Sequence, residues 1–273
     1  MTKILLTNDD GIDAEGLAAL AAALSEHAEV IVVAPQDHQS CCGHGVTTHK
    51  PLKVDERRPG WFAINGLPTD CVRVGLLYLR LNPDWVISGI NHGGNLGVDI
   101  LMSGTVAAAR EASLLGYRSV AISQYRHPAI EVPWSLSAAR GVRAWTEIAA
   151  RPLERLALWN INLPAVAPHE CCDIQNRAIQ YQAIQNQTVQ NPEGRNHAII
   201  LDEDRNLELV DCHPEPMPLQ FELQHGEEGI LYRSNYQTRP RSDGTDVAVC
   251  FGGKITCSKL SATHFYQRAE IGP

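Results

Sequence analysis

The sequence lacks long apolar runs, a signal peptide and any excess of basic residues. No stretch of about 18 consecutive apolar residues occurs, so we expect no membrane-spanning helix. The first three residues lead directly into a strand pattern, and we therefore expect a cytoplasmic protein. The 31 acidic residues outnumber the 23 basic ones for a net charge of −8, which argues against binding to a nucleic-acid polymer.

Cysteine is present without a metal-binding or disulfide pattern. The eight cysteines contain no Cys-x-x-Cys spacing, and two vicinal pairs occur, at Cys41-Cys42 and Cys171-Cys172. In a chain of 273 residues without a signal peptide, reduced thiols are favoured over a disulfide framework.

The phosphate-binding pattern GxxxxGK[ST] is also absent. An acidic protein without that loop needs another source of positive potential if its ligand is anionic.

Apolar strand patterns alternate with helical patterns over residues 1–165. Predicted strands cover 3–7, 30–34, 85–87, 120–123 and 156–161. Predicted helices cover 15–26, 68–79, 105–115 and 135–149, the last with Ser135 as N-cap. Short alternating runs at 46–48, 52–54 and 61–64 suggest a small antiparallel excursion. The alternation predicts an α/β fold with a doubly wound, mostly parallel sheet.

Residues 166–273 differ in composition from the first part of the chain. Gln, Asn and Pro increase, the apolar runs shorten, and little helix is predicted. Short strands are predicted at 174–179, 198–201, 207–210, 230–232, 247–251 and 254–257. We expect a β-rich C-terminal extension that belongs to the same domain as the core at 1–165 and serves in oligomerisation.

Two adjacent carboxylates, Asp9 and Asp10, follow the first predicted strand. Ligands of open α/β sheets bind at the carboxyl ends of the strands. A tight turn is the alternative explanation, because Asn8 and Asp10-Gly11 favour turns. A turn needs only one Asp, so the pair favours a hard divalent cation bound by oxygen ligands.

Two other predicted loops supply polar residues at strand ends. Loop 36–45 contains Ser40 and two glycines, and taken alone it is weak evidence for a site. Loop 88–103 is too long for a plain connection, yet its glycines do not lead directly into a helix as a dinucleotide motif requires. Asn91 comes soon after the predicted strand, and this position suits a neutral oxygen ligand or a phosphate contact. The alternative explanation of the whole loop is a flexible glycine turn without a ligand.

Ser103-Gly104-Thr105 precedes the strongest predicted helix. Simple N-capping by Ser103 explains the motif in part. The alternative is a phosphate cradle, in which free backbone N–H groups, the helix dipole and two hydroxyls bind an oxyanion. Gly104 would allow the backbone to approach the ligand closely. Such a cradle would supply the positive potential that the acidic chain otherwise lacks.

Several segments together resemble the SurE family of stationary-phase survival nucleotidases. The segments are ILLTNDDG at 4–11, VAP at 33–35 with Ser40 five residues on, GLPTDCV at 66–72, SGIN at 88–91, SGTVAAA at 103–109 and, more weakly, GTD at 244–246. The resemblance implies a Rossmann-like fold and a metal-dependent phosphatase acting on nucleoside 5′- and 3′-monophosphates and on short polyphosphate. It also implies homodimers or homotetramers.

The resemblance also implies roles for individual residues. One divalent cation per subunit, Mg²⁺ or Mn²⁺, would be bound by Asp9, Asp10, Ser40 and Asn91. Phosphate would be bound by Asn8, Ser103, Gly104 and Thr105, and the substrate loop would include Gly43 and Asn95. In the mechanism that we favour on chemical grounds, either Asp9 or Asp10 would take the proton of the attacking water.

Alternatives to this mechanism remain open at the level of sequence. An Asp-nucleophile phosphatase normally carries Asp-x-Asp rather than adjacent aspartates, and a nucleotide sensor would bind without turnover. The chain also departs from the family, with Cys41 where Gly is usual after Ser40 and Met102 where an aromatic residue is usual. The Cys41-Cys42-Gly43-His44 cluster is either ordinary packing or a thiol pair through which soft metals or oxidants inactivate the site.

Overall fold

A nine-stranded sheet is the centre of the molecule. The computed structural model describes residues 1–167, 207–217, 222–226, 229–233 and 236–262. Its strands are β1 (Lys3–Thr7), β2 (Glu29–Pro35), β3 (Val54–Arg58), β4 (Trp61–Ile64), β5 (Trp85–His92), β6 (Ser119–Gln124), β7 (Ala157–Leu163), β8 (Leu209–Asp211) and β11 (Ile255–Ser261). The strand order in the sheet is β3-β4-β2-β1-β5-β6-β7-β11-β8. All neighbours pair in parallel except β3 with β4 and β7 with β11.

Helices cover both faces of this sheet. They are α1 (Glu15–Ser25), α2 (Pro68–Arg73), α3 (Gly104–Leu114), α4 (Trp134–Ala149) and α5 (Asp246–Phe251). The alternation of side chains along β1 shows the two layers, because Ile4 and Leu6 pack in one core cluster and Leu5 in another. Helices α1 and α4 lie on the first side, and α2 and α3 lie on the second. This architecture confirms the predicted doubly wound α/β fold.

The order of strands reverses at β1. From β1 the chain adds β2 and β4 on one side, then returns to add β5, β6 and β7 on the other. The carboxyl ends of β1 and β5 therefore flank the topological switch point, where α/β proteins bind their ligands. Thr7 pairs with Ser88, so the loop after β1 lies beside the last residues of β5.

Several element boundaries differ from those predicted. Strand β5 continues to His92 instead of ending at 87, and Gly97–Leu101 forms a 3₁₀ helix, so loop 88–103 is shorter than expected. The helix predicted at 68–79 is α-helical only to Arg73 and continues as a π-helical turn over Val74–Tyr78. Ser135 is not an N-cap, because α4 begins at Trp134 after Pro133.

The C-terminal part of the chain joins the same sheet. Strand β11 pairs antiparallel with β7 on one side and parallel with β8 on the other. The strand predicted at 247–251 is wrong, because these residues belong to α5, whose first turn is capped by the Thr245 hydroxyl. A short apolar run does not distinguish a strand from a buried helix turn. The predicted division of the chain at residue 165 stays a prediction.

A separate two-stranded hairpin completes the described structure. It consists of β9 (Glu222–Gly226) and β10 (Gly229–Arg233). The strands predicted at 174–179 and 198–201 lie outside the described residues. No helix within the described ranges is both long and apolar enough to cross a membrane.

Candidate active site

Asp9 is the buried carboxylate at the end of β1. Only 3% of the residue is exposed, and its Oδ1 accepts a hydrogen bond of 2.6 Å from the Thr105 hydroxyl at the start of α3. Thr105 itself is fully buried. One side-chain hydrogen bond therefore joins the first strand to the helix that was predicted to bind phosphate. Thr105 was predicted to contact phosphate, and in the structure its hydroxyl donates to the Asp9 carboxylate.

The electrostatic environment of Asp9 suits a bound cation. Burial raises the pKa of Asp9 to about 6, the Thr105 hydrogen bond opposes this rise, and the neighbouring Asp10 adds to it. Within the described part of the chain no Lys or Arg forms an ion pair with either carboxylate. A divalent cation would supply the missing positive charge, so these residues fit a metal.

Asp10 lies between two histidines. Its Oδ2 accepts a hydrogen bond of 2.9 Å from the backbone N–H of His92 at the end of β5. Its Oδ1 lies 3.5 Å from Nδ1 of the exposed His38 in the loop after β2. The contacts of Asp10 therefore connect the ends of β1, β2 and β5, through two histidines that were not predicted as site residues.

Asn91 and Ser40 are tied to this region through neighbouring groups. The Asn91 side-chain amide donates to the Gly93 carbonyl at 2.8 Å, so its side-chain oxygen remains available as a ligand. Ser40 is exposed, and the backbone N–H of the preceding Gln39 donates to the Asp9 carbonyl at 2.7 Å. Among the described residues no three His, Cys, Asp or Glu side chains form a metal cluster. A metal site at the two aspartates would therefore depend on the neutral oxygens of Asn91 and Ser40 for its further ligands.

The first turn of α3 approaches Asp9 closely. The Ser103 hydroxyl accepts from the Val106 N–H at 3.0 Å, so Ser103 is the N-cap of the helix. A Cβ atom on Gly104 would lie 2.7 Å from the Cys42 sulfur and 2.9 Å from both Cβ and Oδ2 of Asp9. Only glycine permits this approach. The helix N-terminus, with its positive partial charge, therefore lies directly beside the carboxylate.

Three further predicted site residues have internal contacts. Asn8 is fully buried, its amide donates to the Gly11 carbonyl at 2.8 Å, and among the described residues its Oδ1 has no hydrogen-bond partner. One of the two N–H donors of this amide is thus used within the loop, and the phosphate role of Asn8 stays a prediction. Asn95 is buried, and its side-chain amide donates to Ser123 of β6. The Gly43 N–H donates to the Met102 carbonyl at 3.0 Å, which places loop 40–45 against the cradle.

Glu111 holds loop 40–45 against two helices. Its Oε2 lies 2.8 Å from His44 Nε2, and its Oε1 accepts from Arg73 Nε of α2 at 2.6 Å. Arg110 Nη1 lies 3.4 Å from the other ring nitrogen of His44. Burial by itself raises the pKa of Glu111, but the bonds to His44 and Arg73 outweigh it and the pKa lies below its usual value. Glu111 is therefore ionised at neutral pH.

Glu111→Ala should lower the free energy of unfolding by about 1–3 kcal/mol, because His44 and Arg73 lose a buried partner. Urea unfolding of parent and variant measures the loss. The pKa of Glu111 is lowered on folding, so its contribution is full above the ordinary value of 4.5 and is lost as the pH falls through the lowered folded pKa.

Glu147→Ala is the matched control for this experiment. Glu147 also pairs with two arginines, Arg143 and Arg151, but its side chain is 42% exposed on α4. Solvent screens such pairs, so the loss should stay below about 1 kcal/mol. Equal losses in the two variants, or a difference that does not depend on pH, would contradict the role of Glu111.

The two vicinal thiols beside Ser40 differ in their exposure and in their readiness to ionise. The six cysteines within the described ranges are free, Cys41 is exposed, and the Cys42 thiol lies 3.5 Å from the Gly43 carbonyl. Burial, with Asp9 close by, raises the pKa of Cys42 to about 11, so this thiol stays protonated at neutral pH. Inactivation through these thiols stays a prediction.

Taken together, these residues define a class of protein. A carboxylate pair at the switch point of a doubly wound sheet, beside a helix N-terminus, is typical of α/β enzymes that bind anionic ligands at this edge.

The chain belongs to the SurE family. Residues 4–187 match the family model described as survival protein SurE. The chain is 40% identical over 257 residues to a putative 5′-nucleotidase from Nostoc sp., covering 94% of this chain and 98% of that protein. It is 45% identical over 172 residues to the 5′-nucleotidase SurE of Deinococcus radiodurans, covering 61% and 64%. The crystal structure of the SurE protein from Aquifex aeolicus matches with a TM-score of 0.72 and 26% identity, over 95% and 93% of the two chains.

Proposed function

We propose that this chain is a metal-dependent phosphatase that hydrolyses nucleoside 5′-monophosphates, and also 3′-monophosphates and short polyphosphate. The contact between the Thr105 hydroxyl and Asp9 carries the proposal, because it places a helix N-terminus and a buried carboxylate side by side. Membership of a family whose relatives are named 5′-nucleotidases supports the substrate class.

Asp9, Asp10, Ser40 and Asn91 would bind one Mg²⁺ or Mn²⁺ ion. These cations prefer carboxylate and neutral oxygen ligands, which are the groups that this edge of the sheet offers. When bound, the ion would polarise the phosphate and lower the pKa of a water molecule.

The residues of the chain would bind the phosphate and accept the proton. The free N–H groups in the first turn of α3 would donate to the phosphoryl oxygens, and the helix dipole would stabilise their charge. Ser103 orients that turn as its cap. Asp9 Oδ1 accepts from the Thr105 hydroxyl and Asp10 Oδ2 accepts from the His92 N–H, so the second oxygen of either carboxylate is the better candidate to take the proton of the attacking water.

A phosphate-release assay tests this proposal. We expect the purified protein to release phosphate from AMP in the presence of Mg²⁺ or Mn²⁺. Phosphate release should stop when a chelator is added. Unchanged release in excess chelator would contradict metal dependence. Tight binding of AMP without release would indicate a sensor, and a phospho-aspartate detected by mass spectrometry would indicate the Asp-nucleophile mechanism.

We also propose that the chain forms homodimers or homotetramers through its β-rich C-terminal part. Within the described residues the hairpin β9-β10 pairs with no other strand, and it exposes three large apolar side chains, Leu223, Ile230 and Leu231. Leu223 and Ile230 lie on one face of the hairpin and Leu231 on the other. Exposed apolar side chains on a hairpin of this kind favour a protein interface. The mass in solution, measured by light scattering, tests this assembly.

A further inference from the structure

A cavity of about 380 Å³ lies between the start of α1, the end of β5 and the segment that leads into α4. Its lining includes Glu15, His92, Arg126, Glu131 and Trp134, and we call it the Trp134 cavity. This volume is at the lower end of the range for small-molecule sites and suits a ligand of the size of one nucleoside.

The Trp134 cavity adjoins the carboxylate pair. His92 lines the cavity with its side chain, while its backbone N–H donates to Asp10 Oδ2 at 2.9 Å. The Trp134 ring lies against Gly16, where an added Cβ would be 2.9 Å from the ring and 2.4 Å from the Ile90 carbonyl. Ile90 directly precedes Asn91. The cavity and the proposed metal site therefore share His92, which lines the one and contacts a carboxylate of the other.

The walls of the Trp134 cavity combine flat rings with polar groups. The rings of His92 and Trp134 have centroids 5.9 Å apart and are tilted by 52°. The Arg126 guanidinium lies 4.4 Å from the Trp134 ring centre and donates to the Val132 carbonyl, while its buried Nε has no hydrogen-bond partner in the part of the chain that the structure describes. Glu15 and Glu131 are exposed carboxylates. Aromatic faces bind bases by stacking, and carboxylates accept hydrogen bonds from sugar hydroxyls.

We propose that the Trp134 cavity binds the nucleoside part of the substrate, with the base stacked on Trp134 and His92 and the sugar hydroxyls near Glu15 or Glu131. This proposal rests on the proposed function and adds its specificity site. Two carboxylates face the cavity against one arginine, so an uncharged nucleoside suits it better than a second phosphate group.

Trp134→Ala should lower the preference for nucleotides over simple phosphate esters. We expect the ratio of kcat/KM for AMP to kcat/KM for glycerol phosphate to fall about tenfold or more, because the variant loses the stacking of the base on one aromatic ring. The loss should appear mainly in KM for AMP. Trp134→Phe keeps a ring and should restore most of the ratio. His92→Ala should lower the ratio severalfold. The His92 side chain is exposed, so its removal should not destabilise the fold.

Trp61→Ala is the matched control. Trp61 is also half-buried and carries a stacked arginine, Arg58, but it lies on β4 towards the far edge of the sheet. This variant should leave the ratio unchanged. An equal loss on both substrates in Trp134→Ala and His92→Ala, or no loss in either, would overturn the proposal.

Binding of adenosine, measured by calorimetry, separates this proposal from the proposed function. Adenosine carries no phosphate, so its binding should weaken about tenfold in Trp134→Ala whether or not the chain hydrolyses AMP. A parent that binds adenosine through Trp134 and hydrolyses nothing would contradict the proposed function alone. A parent that hydrolyses AMP with adenosine binding unaffected by Trp134→Ala would contradict the cavity alone.

Discussion

Asp9→Asn is expected to lower phosphate release from AMP by at least about a thousandfold, which corresponds to about 4 kcal/mol of transition-state stabilisation. The substitution keeps the size of the side chain, and its oxygen can still accept the hydrogen bond from Thr105. It removes one of the two negative charges that would bind the cation. Steady-state assays over a range of Mn²⁺ concentrations measure the effect.

The same variant should fold at least as well as the parent. Burial raises the pKa of Asp9, so a neutral side chain avoids the cost of placing a charge there. Mn²⁺ should raise the melting temperature of the parent, because a ligand of the native state stabilises it, and should not raise that of Asp9→Asn. Asp13→Asn, at an exposed aspartate four residues on, is the control and should behave as the parent. Activity of Asp9→Asn in excess chelator would refute the assignment.

Gly104→Ala should lower kcat/KM for AMP by about a hundredfold, or about 3 kcal/mol. The new methyl group would lie 2.9 Å from Cβ and Oδ2 of Asp9, so either the carboxylate or the first turn of α3 must move. A displacement of even 1 Å at a reacting centre can cost this much. Urea unfolding of parent and variant separates this loss of activity from a loss of stability.

Two further variants show which contact is responsible. Gly141→Ala places its Cβ 3.5 Å from the nearest atom, in Ile122, which is ordinary contact, so activity should be retained. In Cys42→Ala with Gly104→Ala, the 2.7 Å contact with the sulfur is gone while the contact with Asp9 remains. We expect this double variant to stay impaired. Full recovery would show that the methyl group acts through loop 40–45 and not through Asp9.

The parallel core was predictable because its strands are buried on both faces. Val32, Val33 and Ala34 form a continuous apolar run, and such runs identify buried strands without any tertiary information. The carboxylates at the end of β1 were predictable for the same reason, since the end of a parallel strand defines the ligand-binding edge. The SurE resemblance is confirmed, whereas the four metal ligands stay predictions.

The contacts that complete the site were not predictable from local pattern. Glu111 lies inside a helix, and only the packing of α3 brings it to His44, 67 residues away along the chain. Trp134 comes 42 residues after His92, and nothing in the sequence around either residue indicates that their rings meet. The hydrogen bond from the Thr105 hydroxyl to Asp9 was not predicted either, and the phosphate role of Thr105 stays a prediction. These pairings depend on chain separation and side-chain direction, which periodicity does not encode.

The position of β11 has a consequence for the order in which the protein is made. Strand β7 (Ala157–Leu163) gains its second neighbour only from residues 255–261, almost a hundred residues later in synthesis. A chain still emerging from the ribosome therefore exposes β7 as an unpaired edge for most of the time that the C-terminal part is being translated. Pairing over such a separation also slows folding, because the entropy cost of closing a long loop precedes the strand contacts. Until β11 has been synthesised, nascent chains can consequently associate with one another through the exposed edge of β7.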